Sequence, residues 1–183
     1  MATLIATAKS STANSYCTLL EANSYHEKVR PDDEKIWLKQ AETTRERLLM
    51  LATRIIDDHF DFLNYKTDQD QSLQWPRAAV FEDGKWAKDG ALKFLDDDTI
   101  PTFLINATSE LARILVDTDV NASSGGAGLS SVTMGSMSVS FNETDRMSEG
   151  VIRTSVYSLL RKYGSYKPSL NSGQFITSAR VTR

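Results

Sequence analysis

The side chains that could carry catalysis or bind a metal ion are few, and they lie far apart in the sequence. The two histidines, His26 and His59, fall in different predicted helices, and neither has the HExxH or CxxC spacing of a zinc site. The single cysteine, Cys17, cannot form an internal disulfide and is expected to be a small buried hydrophobic residue rather than a nucleophile. No GxSxG sequence is present. The sequence therefore predicts no active site, no cofactor and no enzyme activity.

Two short runs resemble ligand-binding motifs but have simpler explanations. Asp96–Asp98 could attract a cation, although acids near the start of a helix are favoured by its dipole without any metal. Gly125–Gly128 lacks the Gly-Lys-Ser/Thr ending of a phosphate-binding loop. We therefore expect an acidic helix entry at the first run and a flexible linker at the second.

The charge of the chain is unevenly distributed. The net charge is −3, but the segment from Arg161 to Arg183 contains five basic residues and no acid, so it carries +5 and the remainder −8. A basic tail on an acidic body indicates an interaction arm. No signal peptide and no run long enough to cross a membrane is predicted, so we expect a soluble protein made in the cytoplasm.

A long helix from Asp32 to Leu63 is predicted to organise the fold. Apolar residues recur at helical spacing along one face, and these are Trp37, Ala41, Leu48, Ala52, Ile55, His59 and Phe62. The opposite face carries charged residues that should be solvated, namely Lys35, Lys39, Glu42, Arg45, Glu46 and Asp57. The other helices are expected to pack against this one.

Shorter elements complete the predicted architecture. Helices are expected at residues 16–29, with Ser15 or Thr18 as N-cap, at 100–117, and at 142–163, with Gly164 as C-cap. Alternating residues around Gly135-Ser136 predict a β-hairpin at about residues 129–141. The predicted fold is mainly α, a helical bundle around one long helix with a small β-hairpin. Residues 1–163 form its domain and 164–183 an extended basic C-terminal arm.

Several short blocks of the sequence are similar to those of a bacteriophage family. The blocks are Ala13–Tyr16 followed by Leu19, Glu21, Ala22 and Tyr25; Leu48–Asp58; Gln71–Arg77, with the sequence QSLQWPR; Ile100–Pro101 with Ala107–Thr108 and Glu110–Ala112; and Gly135–Phe141. They resemble the head–tail connector adaptor family of tailed bacteriophages, also called head-completion proteins. Some members of that family are labelled primosomal-type single-strand-DNA-binding proteins.

The resemblance implies a structural virion protein without a cofactor. It would form a twelve-fold ring beneath the portal protein, extend the DNA channel, and dock a stopper or tail-tube protein. Packaged DNA would pass through the channel without sequence-specific binding. The protein would be made in the host cytoplasm and located in the head–tail neck of the virion.

The resemblance also implies roles for individual residues. The C-terminal arm would bind the portal through Lys167, Pro168, Leu170, Phe175, Ile176, Arg180 and Arg183. The hairpin would form a subunit interface through Val132, Met134, Met137, Val139 and Phe141. Trp75, Pro76 and Arg77 would be the structural signature of the family.

A second hypothesis is a single-stranded-DNA-binding protein. Trp75, Arg77 and Trp86 could stack on bases while the basic tail contacts phosphates. A buried Trp75 that anchors a loop on the helices is the favoured interpretation of that residue. The negative net charge and the wide spacing of the basic residues in the tail also favour the adaptor.

Overall fold

The computed structural model describes residues 3–29, 34–86, 90–117, 131–134, 137–140 and 154–167, with the backbone alone for 34, 35, 83–86, 117 and both strands of the 131–140 region. The helices are α1 Leu19–Val29, α2 Glu34–Leu38, α3 Glu42–His59, α4 Thr102–Asp117 and α5 Thr154–Leu160. The strands are β1 Phe60–Phe62, β2 Tyr65–Lys66, β3 Arg77–Ala78, β4 Phe81–Trp86, β5 Leu92–Phe94, β6 Ser131–Met134, β7 Met137–Ser140 and β8 Gly164–Tyr166.

The helices pack around α4, which contacts α1, α2, α3 and α5. Its residues Leu104, Ala107 and Leu111 are fully buried, at the spacing that turns one face of a helix to a core. A reciprocal capping box starts α1, because Thr18 Oγ1 accepts from the Glu21 amide while Glu21 Oε2 accepts from the Thr18 amide. The prediction of a mainly α fold with small β-hairpins is confirmed.

The predicted single long helix is wrong, because it is broken between α2 and α3. The Gln40 amide donates to the Trp37 carbonyl in a tight turn, and Ala41 adopts an extended backbone, with φ −59° and ψ 147°. The turn lets two helices converge on one acceptor. Trp37 Nε1 and Arg45 Nη1 both donate to Asn23 Oδ1, at 2.8 and 2.7 Å. Tertiary hydrogen bonds at this corner therefore compensate for the interrupted helix.

The buried face of α3 also differs from the predicted one. Arg45, Leu49, Ala52 and Ile56 are buried at steps of four, three and four residues, whereas Ala41 is exposed. Arg45 was predicted to be solvated but is only 7% exposed, because Asn23 satisfies its guanidinium. A purely hydrophobic pattern misses such positions, since a paired charge can be buried.

The strands form four separate antiparallel pairs rather than one sheet. The β6–β7 pair confirms the predicted hairpin, with Val132 opposite Val139 and Met134 opposite Met137. The β1–β8 pair joins distant parts of the chain and places Phe60 opposite Tyr166 and Phe62 opposite Gly164. Sequence periodicity did not predict this pair, because its strands are three residues long and about a hundred residues apart.

Gly164 lies in β8 and not at a helix C-cap, as the sequence had predicted. A Cβ atom at this position would lie 2.9 Å from Phe62 Cα and closer still to the Asp61 carbonyl oxygen. Glycine is therefore required by the close approach of β1, and not by a left-handed backbone conformation. Among the described residues, no helix is both long and apolar enough to cross a membrane.

Candidate functional site

Trp75 is a core residue and has no face available to a base. Its side chain is 1% exposed, and its ring meets Phe62 and Phe103 edge to face, at 5.6 and 5.5 Å between centroids. The peptide bond between Trp75 and Pro76 is cis. The structure thus agrees with the interpretation that Trp75 anchors a loop, and the stacking role that the second hypothesis gave to it is wrong.

Arg77 is likewise committed to the fold. Its Nε donates to the Leu63 carbonyl at 2.8 Å, Nη1 to Gln74 Oε1 at 3.1 Å, and Nη2 to the Asn64 carbonyl. Burial lowers the pKa of this guanidinium. Arg77 therefore clamps two loops together and cannot serve as a phosphate contact without breaking them. For Trp86, the structure describes the backbone alone.

A buried acid links four segments of the chain. Asp57 Oδ1 accepts a hydrogen bond from the Tyr16 hydroxyl, and Asp57 Oδ2 accepts from the Gln74 amide at 3.2 Å. Lys167 Nζ donates to the Asp57 carbonyl at 2.6 Å. Burial raises the pKa of the Asp57 carboxyl to about 6 and raises that of the Tyr16 phenol well above its ordinary value. The sequence had placed Asp57 on a solvated face, which is wrong because Tyr16 and Gln74 cover it.

Cys17 is not a nucleophile in this fold. Its thiol is buried beside Ser109, with 3.8 Å between Sγ and Oγ, and burial raises its pKa to about 12. His26 lies near the same turn of α4, with 3.2 Å between Nε2 and the Ser109 carbonyl oxygen. The thiolate that chemistry would need is strongly disfavoured here, so these residues join α1 to α4.

The three aspartates at 96–98 form an exposed acidic turn after β5. Their carboxylate oxygens lie within 4.8 Å of one another. Asp98 accepts an ion-paired hydrogen bond from Lys9, and Asp96 Oδ1 accepts from the Asp98 amide at 2.9 Å. The helix that the sequence placed directly after them begins only at Thr102.

One surface combines exposed cations with an aromatic ring, and we call it the cationic corner. It comprises Tyr157, Arg161, Lys162 and Lys167. The Arg161 amide donates to the Tyr157 carbonyl at 2.9 Å, so these two residues share one face of the last helical turn. Arg161 and Lys162 are exposed, and Tyr157 is 39% exposed. The segment with no acidic residue begins here.

The cationic corner is held rigidly against the core. The ring of Tyr157 meets the buried Phe60 edge to face, with 6.3 Å between centroids. Between Lys162 and Lys167, Tyr163 stacks on Phe103 at 3.9 Å. The Lys167 amide then donates to the His59 carbonyl at 2.8 Å. The chain is therefore fixed on both sides of the turn that presents Arg161 and Lys162.

A second aromatic surface lies on the β4–β5 pair, and we call it the aromatic face. It comprises Phe81, Leu92 and Phe94, which are 46–48% exposed. Phe81 and Phe94 are opposite each other in the pair, and their rings stack at 4.6 Å. On the adjacent positions, Lys93 and Glu82 form an ion pair at 2.8 Å. This surface is apolar and lies next to the acidic turn at residues 96–98.

The other predicted site residues lie mostly outside what the structure describes. Of the predicted portal-binding arm, Lys167 is described, whereas Pro168, Leu170, Phe175, Ile176, Arg180 and Arg183 are outside the described residues. Of the predicted subunit interface, Val132, Met134, Met137 and Val139 are described as backbone in β6 and β7, and Phe141 is outside. The assignment of these residues to an interface stays a prediction.

Comparison with known proteins gives one match. A family model described as “Putative DnaT-like ssDNA binding protein” matches residues 2–183. No curated protein and no solved structure matches the chain.

This match corrects the principal functional prediction. It contradicts the head–tail adaptor, its description as a phage virion component, and its partners, the portal, tail proteins and a twelve-fold ring. It also contradicts the expectation that DNA is not bound. The second hypothesis, single-stranded-DNA binding, agrees with the match, as does the primosomal-type label of the resembled family. The location in a virion is not tested.

Proposed function

Because this chain belongs to the DnaT-like family of ssDNA-binding proteins, we propose that it binds single-stranded DNA, without catalysis, at the cationic corner. The observation that carries this assignment is the position of Tyr157 one helical turn before Arg161 and Lys162. A single strand needs cations along its backbone and an aromatic ring for its bases, and this surface has both.

The charges of the corner favour a phosphate backbone. Arg161 and Lys162 are exposed, and they open a segment that runs to Arg183 without an acid. Lys167 is partly used within the fold, since its Nζ also lies 3.8 Å from Asp61 Oδ1. Arg161 and Lys162 are therefore the residues that we expect to contact phosphates first.

The ring of Tyr157 is suited to stacking because it is both accessible and positioned. Its contact with Phe60 fixes one edge, while 39% of the side chain stays exposed. A ring that is ordered before binding loses little conformational entropy when a base stacks on it. Stacking of one base on an aromatic side chain contributes about 1–3 kcal/mol.

The residues that sequence reasoning chose for DNA are less suitable. Trp75 is buried, and Arg77 is hydrogen-bonded to three backbone carbonyls. Tyr157 was missed because, in the sequence, it reads as part of an apolar helix face. The signal that could have identified it is its position just before the segment without acids.

The test is fluorescence anisotropy of a labelled oligo-dT titrated with wild type and two charge variants. In the first, Arg161→Gln and Lys162→Gln remove the corner cations. In the second, Arg47→Gln and Arg54→Gln remove two exposed cations of α3, so both variants change net charge equally. We expect the first variant to bind more weakly and to lower the salt slope by about 1.4, at roughly 0.7 per phosphate contact.

Tyr157→Ala tests the stacking contact separately. We expect it to weaken binding by about tenfold with an unchanged salt slope, and Tyr157→Phe to keep most of the affinity because its ring can still stack. Equal weakening by the corner and α3 charge variants would reject the corner as the site. An absence of binding by the wild type at low salt would reject the proposed function itself.

A further inference from the structure

We propose that the aromatic face binds the chain's own C-terminal segment, residues 168–183, and that this contact competes with DNA binding. The competition rests on the proposed function, whereas the contact itself does not. The face presents Phe81, Leu92 and Phe94, each roughly half exposed, to solvent. These side chains are not covered by any described residue to the extent that the core aromatics are.

The charge beside the aromatic face argues for a basic, apolar occupant rather than for a nucleic acid. Asp96–Asp98 follow Phe94 after a single intervening residue, Leu95, and all three are exposed. Phosphates brought to this surface would be repelled by the acidic turn, of which only Asp98 is recorded in an ion pair with Lys9. An occupant with apolar residues and arginines would instead be complementary.

The C-terminal segment has this composition. Its larger apolar residues are Leu170, Phe175, Ile176 and Val181, its charged residues are Arg180 and Arg183, and it contains no acid. Ile176 and Arg180 are four positions apart, about 13 Å in an extended chain. Phe94 and Asp97 are three positions apart, about 10 Å in an extended chain, so apolar and ionic contacts can form together.

The segment also starts close enough to reach the face. The Leu63 amide donates to the Tyr163 carbonyl, next to β8, at 2.9 Å. Asn64 Nδ2 donates to the Ala79 carbonyl at 2.6 Å, two residues before Phe81. Hydrogen bonds thus lead from the β8 region to the start of β4. The eight residues from Lys167 to Phe175 can span about 27 Å when extended.

A two-stranded pair with free edges is also a suitable acceptor for an added strand. Isolated two-stranded pairs are only marginally stable in water, and their unpaired backbone groups can bind an extended peptide. An extended segment could add main-chain hydrogen bonds while Phe175 or Ile176 covers Phe81 and Phe94. When the segment leaves the face, its arginines become available to phosphates near the cationic corner.

The test uses the full-length chain with a spin label on Ser178→Cys, read by paramagnetic broadening of amide NMR signals. Cys17 is buried and its thiol pKa is about 12, so the introduced cysteine is labelled selectively. We expect the amides of Phe81, Leu92 and Phe94 to broaden more than those of Leu20 and Val29, which are equally apolar and exposed on α1.

Two variants keep the result falsifiable if one alters the fold. Phe94→Ser changes the face, and Phe175→Ser changes the segment while leaving the face intact. Both are expected to remove the broadening, whereas Leu20→Ser should not. Broadening that is uniform, absent, or centred elsewhere would overturn the proposal. So would broadening that appears only between labelled and isotope-enriched copies in a mixture, which would mean contact between molecules.

The DNA arm of the experiment separates this inference from the proposed function. Oligo-dT should remove the broadening, and Phe94→Ser should bind oligo-dT severalfold more tightly because the segment is released. Weaker binding by Phe94→Ser would mean that bases stack on the face, and unchanged binding would reject the competition. If the wild type binds no oligonucleotide, the broadening alone still decides whether the segment occupies the face.

Discussion

The β1–β8 and β4–β5 pairs are both short, antiparallel and aromatic, yet one belongs to the core and the other lies outside it. In the first, Phe60 and Phe62 are buried, and Phe62 meets Trp75 edge to face. In the second, the rings of Phe81 and Phe94 stack on each other and remain 48% exposed. Since isolated two-stranded pairs are marginal, the first pair depends on helices beneath it.

The two pairs also differ in the charge that surrounds them. The first continues into Lys167 and lies beside Arg161 and Lys162, whereas the second continues into Asp96–Asp98. Aromatic residues alone would have indicated the second as the nucleic-acid surface. Burial and charge together favour the first, because phosphates require cations.

The largest effect is expected at the core beneath the first pair. Trp75→Ala removes a ring that packs between Phe62 and Phe103, and we expect unfolding free energy to fall by about 3–5 kcal/mol. Urea unfolding followed by circular dichroism measures this loss. A loss below about 1 kcal/mol would mean that the ring is not a core residue in solution.

Asp57 tests how the first pair is joined to the core. Its folded pKa, about 6, is raised by burial above the ordinary 3.8, so its contribution to stability increases as pH falls from 6 toward 4. Asp57→Asn cannot bind this proton. Between pH 7 and pH 4, we expect the stability of the wild type relative to the variant to rise by about 2–3 kcal/mol.

Comparing wild type with Asp57→Asn cancels the titration of the other carboxyl groups. Urea unfolding of both proteins at pH 7, 6, 5 and 4 gives the difference directly. A difference that stays constant over this range would show that the Asp57 carboxyl has an ordinary pKa in the folded protein.

The glycines of the two pairs separate close approach from backbone conformation. Gly164→Ala should cost about 1–3 kcal/mol, because its Cβ would meet the backbone of β1. Gly90, before β5, has a φ of +81° with open space around it, so Gly90→Ala should cost only about 1 kcal/mol. Gly164→Ala should also weaken oligonucleotide binding, which Gly90→Ala should not. Equal effects of the two would contradict the tight β1–β8 approach.

The smallest loss is expected on the aromatic face. Phe94→Ala removes a ring that is half exposed and stacks on one neighbour, so we expect a loss of less than about 1.5 kcal/mol. Denaturant unfolding beside Trp75→Ala makes the comparison. A loss as large as that of Trp75→Ala would place the second pair in the core and remove the contrast between the pairs.

Local patterns in the sequence predicted the elements whose stability is local. The helical stripe of α4, the capping residue Thr18 and the β6–β7 hairpin all follow from spacing and turn residues within a few positions. The same reasoning failed where a tertiary contact outweighs the local pattern. The break at Gln40 and the burial of Arg45 depend on Asn23, which lies on another helix.

The functional surface shows the same division. The absence of acids from Arg161 to Arg183 is a property of the sequence alone, and so is the family match that points to single-stranded DNA. Only the tertiary structure decided which aromatic residues remain accessible. Trp75 and Arg77 are enclosed by Phe62, Phe103 and loop carbonyls, while Tyr157 keeps one side in solvent. Accessibility depends on contacts between residues that are distant in the chain, and local spacing does not encode them.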